Sequence, residues 1–235
     1  MSNPSELLRL VSYSKIATYK ECPFKFHLAY VLQEKPLYKP VYTLGQEVHK
    51  IIAEYYRSLP DAVTPKEVSM YVTQTAKRLG LDAYLNTSLM QNFIAFEEER
   101  LRWHINAKPI AIEKHYVKEP FEGIVDVLFM SKKGMVVVDW KTSLYKGVVG
   151  WERMRLQANI YMYLTGARRA LFYGLIQGRT EEFEYDEDYL MEQVKAFREN
   201  VLAGLFERNM GEQCHTCEYN IQCFAGLWGF EVLEL

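Results

Sequence analysis

The sequence predicts an α/β fold: a mixed central sheet flanked by helices, with a helical insertion and cysteine-bearing ends. Three observations predict it. Two apolar runs, Val125 to Met130 and Met135 to Val138, flank the turn Ser131-Lys132-Lys133-Gly134 and read as a β-hairpin. A helical pattern over 148–164 follows, then two more strand-like runs, so a helix crosses over between strands. Helical periodicity dominates the chain ahead of the hairpin.

In order along the chain, Ser12-Tyr13-Ser14 before Lys15 to Tyr19 reads as a capped helix start, and Pro23 is placed to open a second helical stretch through Phe24, Phe26, Leu28 and Tyr30. The aromatics of this arm are read as core. Residues 33–42, with Pro36 and Pro40, form a linker. Thr43 to Ser58 has helical spacing, with Leu44, Val48, Ile51, Ile52 and Tyr55 on its apolar side. Pro65 to Leu79 and Leu85 to Ile105 read as two inserted helices, with Glu97-Glu98-Glu99 as a solvated acidic face. Ile110 to Val117 is the first strand and contains Glu113. After the hairpin and its helix, Arg168 to Ile176 and Glu181 to Tyr185 read as strands, and Glu187 to Arg208 as a closing helix. The expected organisation is a single domain: an N-terminal arm at 10–59, the insertion at 60–108, the core at 109–206 and a cysteine-rich end at 207–235.

A chain of 235 residues, 49% hydrophobic and 25% charged, can bury one substantial core. No apolar run approaches the ~20 residues of a membrane span, and Met1 to Glu6 lacks the layout of a signal peptide. The expectation is a cytoplasmic protein with no membrane partner. The net charge of -2 hides an asymmetry: residues 140–178 carry six Lys/Arg against one acid, whereas 179–235 carry four against thirteen. A nucleic acid favours the first stretch, which includes Lys141, Arg153 and Arg155.

The chemistry concentrates at the hairpin. Asp126 lies on its first strand, and Asp139-Trp140-Lys141 ends the second. Lys141, two residues after Asp139, points to the same strand face. Two carboxylates brought together across a hairpin can hold a divalent cation, and an ammonium beside them can orient water or neutralise a phosphate gaining charge. A lone Asp-x-Lys is common. Here it has company: Gly45-x-x-x-His49 upstream, and Gln157-x-x-x-Tyr161 on one face of the following helix.

In this order, helical His, Gly123-x-x-Asp126, Asp139-x-Lys141 and Gln157-x-x-x-Tyr161, the chain resembles the RecB-like branch of the PD-(D/E)XK nuclease superfamily. The opening run Ser12-x-Ser14-x4-Tyr19-x2-Cys22-Pro23-x2-Phe26-x3-Tyr30 resembles that branch too. The resemblance implies a restriction-endonuclease-like core in which His49, Asp126, Asp139 and the backbone carbonyl of Trp140 bind Mg or Mn. It implies catalytic roles for Asp126, Asp139 and Lys141, and DNA positioning or buttressing by Gln157 and Tyr161. An acid in the first strand, here Glu113, lies near the metal in several such nucleases.

Four cysteines remain: Cys22, then Cys214-x-x-Cys217-x5-Cys223. In a reducing compartment this spacing suits ligation of one metal centre rather than disulfides. Structural Zn and an iron-sulfur cluster both accept four thiolates, and spacing does not separate them, although His215 slightly favours zinc. RecB-like members with a [4Fe-4S] cluster place one cysteine before the core and three after it, as here. These include CRISPR-associated exonucleases of the Cas-four type and AddB-type helicase-nucleases; the compact Cas type, or a phage homologue in a host cytoplasm, fits this length.

The expected activity is a metal-dependent DNA exonuclease, acting on single-stranded DNA or free ends, with a 5' to 3' preference suggested only by the resemblance. Its expected settings are CRISPR spacer acquisition in antiviral defence, phage recombination or repair, with adaptation or recombination proteins as partners. The alternatives are a non-cleaving iron-sulfur module that binds DNA ends within a larger complex, and a zinc-stapled structural protein.

Overall fold

The computed structural model of the chain describes residues 4–36, 43–102, 108–144 and 147–228. It divides into two compact units, Tyr42–Leu190 and a smaller one joining Met1–Val41 to Met191–Leu235.

The smaller unit begins with a short helix α1 (Pro4–Leu7) and α2 (Tyr13–Glu21), whose start is capped as the sequence predicts: Ser12 Oγ accepts from the Lys15 N–H at 3.3 Å. Pro23 opens α3 (Pro23–Phe26), where its missing N–H costs nothing, and the helix continues as a π-helical stretch over His27–Leu32. Tyr19, Phe26 and Phe197 pack edge to face at 5.4–5.5 Å, so these arm aromatics form a core. The end of the linker, residues 37–42, lies outside the described residues.

The larger unit opens with α4 (Thr43–Ser58). Val48, Ile51, Ile52 and Tyr55 are buried as their spacing requires, whereas Leu44 is exposed. A single helical turn at Pro65–Glu67 leads into α5 (Val68–Leu79), and another at Asp82–Tyr84 precedes α6 (Ser88–Arg102). The end of the helix expected to reach Ile105 falls on residues 103–107, outside the described ones. The strands are β1 (Ala111–Lys118), β2 (Phe121–Ser131) and β3 (Gly134–Lys141). Then come α7 (Gly147–Thr165), β4 (Arg169–Gly174), β5 (Arg179–Glu184) and the start of α8 (Glu187–Leu202), which from Met191 onward belongs to the smaller unit.

The five strands form one sheet in the order β1-β2-β3-β4-β5. Neighbours are antiparallel except β3 and β4, which are parallel because α7 carries the chain back between them. The sheet is mixed, as predicted. Helices α4, α5 and α6 bury Ile52, Tyr56, Val72, Met90 and Phe93 against Val127, Phe129, Val136, Val138 and Trp140.

Two expectations fail here. Glu97 is not solvated: it is fully buried on α6, where Arg100 binds both its oxygens at 2.7 and 2.8 Å and the Tyr55 and Tyr56 hydroxyls donate to it at 3.2 and 2.6 Å. A buried carboxylate is tolerable only when paired and hydrogen-bonded, and this one is both. The closing helix ends at Leu202 instead of Arg208, because Gly204 (φ 69) turns the chain left-handed. The Leu205 N–H then bonds the Asn200 carbonyl and the Gly204 N–H the Val201 carbonyl, the pattern that ends a helix. In the smaller unit a short turn at Glu212–Thr216 and α9 (Asn220–Trp228) follow.

Candidate active site

The residues singled out in the sequence lie within the larger unit on α4, β1, β2, β3 and α7. The β2–β3 ladder runs from Ser131–Gly134 up to Val127–Val138 and stops there. At the next position the Asp126 side chain replaces the ladder, its Oδ2 accepting the Trp140 N–H at 3.1 Å. His49 Nδ1 stands 3.7 Å from that same oxygen. The imidazole also hydrogen-bonds the Trp140 backbone, so β3 touches both residues.

Gly45 has a local reason for its place one turn before His49. A Cβ there would lie 2.8 Å from Thr142 Oγ1, just past the end of β3, so any larger residue would make the Thr142 side chain shift where α4 approaches this strand end. The Trp140 indole anchors β3 from below: it is 2% exposed and packs edge to face against Phe93, Phe96 and Tyr173 at 5.2, 4.9 and 5.8 Å.

Asp139 is 2% exposed and belongs to a second, linked cluster. Lys141 Nζ lies 2.8 Å from Asp139 Oδ2 and donates to Gln157 Oε1 at 2.9 Å. Gln157 Nε2 donates to Asp139 Oδ1 at 3.3 Å and to the Tyr161 hydroxyl at 2.8 Å. One amide thus fixes the lysine, the aspartate and the tyrosine together.

Glu113 faces the same centre from β1. The register passes from Ile112–Val127 to Lys114–Val125, and between these pairs Glu113 adopts φ 43. A left-handed glutamate within a strand costs about 1–3 kcal/mol and persists only where its surroundings enforce it. His49, Glu113, Asp126 and Trp140 line one small cleft with Ile52 and Ala53.

Burial and the nearby Asp139 charge hold the Asp126 carboxyl well above the usual carboxylate range. Burial lowers His49, against the pull of Asp139, and keeps the imidazole neutral near pH 7. A neutral imidazole is the ligand form.

Among the described residues, no three His, Cys, Asp or Glu side chains converge as a ready-made cage. His49 and Asp126 form one pair, while Asp139 is turned to Lys141 and Gln157. The donor chemistry nevertheless fits a hard divalent cation: carboxylates, a backbone carbonyl and one imidazole. Asp139 Oδ2 is buried and, among the described residues, outside hydrogen-bond geometry with any partner while standing 2.8 Å from Lys141 Nζ.

All four cysteines lie in the smaller unit as free thiols and line one cavity with Phe24, Leu28 and Met210. Backbone donors point at sulfur: the Asn209 N–H at Cys22 Sγ and the Gly211 N–H at Cys214 Sγ, each at 3.5 Å, and the Tyr219 N–H at Cys217. Burial raises the Cys217 thiol, with the Tyr219 hydrogen bond and then Lys25 acting the other way.

Arg155, in the stretch whose charge favours nucleic acid, is paired at 2.8 Å with Asp186, whose other oxygen accepts the Tyr189 N–H at the start of α8. Arg57 escaped the sequence reading. It lies two turns beyond His49 on α4 and binds the Glu113 carboxylate; the helical spacing of 49, 53 and 57 was the available signal.

Residues 10–224 match the family model of the PD-(D/E)XK nuclease superfamily, and the chain belongs to that superfamily. No curated protein sequence matches it. Similar solved structures include SSO0001, at 13% identity and TM-score 0.40, covering 77% of this chain and 95% of that one. A "putative exonuclease" from Eubacterium rectale matches at 12% identity and TM-score 0.49, covering 99% of this chain and 92% of that one. No helix among the described residues is long and apolar enough to cross a membrane.

Proposed function

We propose that this superfamily member is a metal-dependent DNA exonuclease of the RecB-like branch, acting on single-stranded DNA or free ends with 5' to 3' polarity. The observation that carries the reading is the convergence of His49, Asp126, Asp139, Lys141 and Gln157 from four elements on the end of β3. His49, Asp126, Asp139 and the Trp140 carbonyl would hold Mg or Mn, with Glu113 on the rim of the cleft. Such a cation, when bound, polarises a phosphate and lowers the pKa of water.

The protein's own groups account for the rest. Lys141, fixed by Asp139 and Gln157, places a positive charge where a phosphate gains negative charge, and it orients water for in-line attack. Gln157 uses both ends of its amide within the cluster, which supports a buttressing role for it and Tyr161 rather than direct grip on DNA. The buried Trp140 side chain keeps the strand end rigid, as a site on regular structure requires.

Cys22, Cys214, Cys217 and Cys223 would hold a [4Fe-4S] cluster. Their shared cavity supports one four-thiolate centre, and the backbone N–H groups aimed at sulfur suit charged thiolates. This centre is structural, joining residues from both ends of the chain. CRISPR spacer acquisition or recombination is the setting that such an enzyme would serve.

The test is cleavage of end-labelled DNA, single- and double-stranded, linear and circular, by anaerobically purified protein with Mg, Mn or chelator. The expected result is a brown protein that degrades linear single strands from the 5' end only with metal. Colourless protein containing zinc would replace the cluster. Binding without cleavage under every condition would overturn the enzymatic reading in favour of a DNA-end clamp.

A further inference from the structure

We infer that Arg57 is the cation that the metal must replace: its guanidinium occupies Glu113, and metal binding requires the carboxylate to exchange one positive partner for another. This rests on the metal-centre reading above and deepens it. Three observations converge. Glu113 lines the cleft with His49 and Asp126, yet its carboxylate is taken by Arg57, with Nη2 on Oε2. The Glu113 backbone is left-handed inside a strand, so the residue is held for something other than sheet pairing. Arg57 lies on the same helix as His49, and its guanidinium is also 3.8 Å from Glu54, which Arg78 holds at 2.9 Å. The guanidinium therefore has a second carboxylate to turn to when Glu113 leaves it.

The geometry leaves room for such a device. Glu113 and Asp126 are the two carboxyl groups that line the cleft, and Lys141 is engaged elsewhere, at Asp139. Without a metal, Arg57 offsets the Glu113 charge; with a metal, the guanidinium competes for the same oxygen. Both side chains are nearly half exposed, at 45% and 43%, so the competition is mild and the exchange reversible.

The test is Mn2+ binding to the full chain without DNA, followed by electron paramagnetic resonance, for wild type, Arg57→Ala, Glu113→Gln and the double variant. Arg57→Ala should bind Mn2+ about two- to fivefold more tightly, matching an exposed ion pair removed from competition. Glu113→Gln should bind more weakly. The Arg57→Ala gain should disappear in the Glu113→Gln background. An equal gain in both backgrounds would mean that Arg57 acts only as a nearby positive charge and would overturn the exchange, as would unchanged or weaker binding by Arg57→Ala. If wild-type protein bound no Mn2+, or bound it as well after Asp126→Asn, the metal-centre reading itself would fail, a result distinct from failure of the exchange.

Discussion

The carboxylate centre of the larger unit and the cysteine cavity of the smaller one are both candidate metal sites, but they are built in opposite ways. In the first, every donor sits on a helix or strand, and most already have a partner: Asp126 the Trp140 N–H, Asp139 the Lys141 and Gln157 side chains, Glu113 the Arg57 guanidinium. In the second, four half-buried thiols from distant parts of the sequence share a cavity, with backbone N–H groups as local guides. The difference bears on the role proposed for each. Side chains held by one another at defined distances suit chemistry, in which small displacements are costly. Thiols gathered from both ends of the chain suit a staple, whose contribution is to restrict the unfolded state.

The sharpest way to break the comparison is to unsettle the first site while leaving the second alone. Lys141→Ala removes the charge fixed by Asp139 and Gln157 and should lower cleavage by more than about 100-fold, with thiol-bound metal unchanged. Single-turnover cleavage and metal analysis read both. Next in size is Glu97→Ala, which leaves the Arg100 charge buried with its partner gone. It should destabilise the larger unit by about 3–5 kcal/mol in urea unfolding, and an effect under 1 kcal/mol would mean that the pair is not buried in solution.

These two positions also mark how far the sequence could be read. Asp126, Asp139, Lys141 and Gln157 were legible because each lies at a fixed spacing within or beside one strand or helix, and local periodicity specifies which face a side chain takes. The mixed character of the sheet was legible from the order of elements, a hairpin followed by a crossing helix, whereas the strand order came only from the structure. Glu97 was misread because its burial depends on Tyr55 and Tyr56, residues of another helix, and three acids in a row look solvated when read along the chain. Arg57 was missed because its partner Glu113 is 56 residues away. Arg155 was assigned to a DNA surface on charge alone, while its partner Asp186 serves as the cap of a later helix.

Weakening the second site should have a smaller and different effect. Cys22→Ala should lose the thiol-bound metal and its visible absorption. It should lower the melting temperature by about 5 °C, as expected for the loss of roughly 2 kcal/mol in a domain of this size. The folded fraction should still cut DNA, and complete loss of cleavage by well-folded Cys22→Ala protein would merge the two roles.

The smallest effect concerns pH. Asp126 is held above its usual range and is partly protonated near neutrality, whereas His49 is already neutral. A cation needs the ionised carboxylate, so Mn2+ affinity should rise with pH through the neutral range by at most about tenfold per pH unit. That rise should vanish in Asp126→Asn.

The most direct measurement is a side-by-side time course of Asp139→Asn and wild-type protein on end-labelled linear single-stranded DNA with Mn2+, with the visible spectrum of each recorded beforehand. The two-site account predicts that the variant keeps the wild-type absorption and still binds DNA, but does not cut it. Cleavage at the wild-type rate, or loss of the chromophore together with activity, would contradict it.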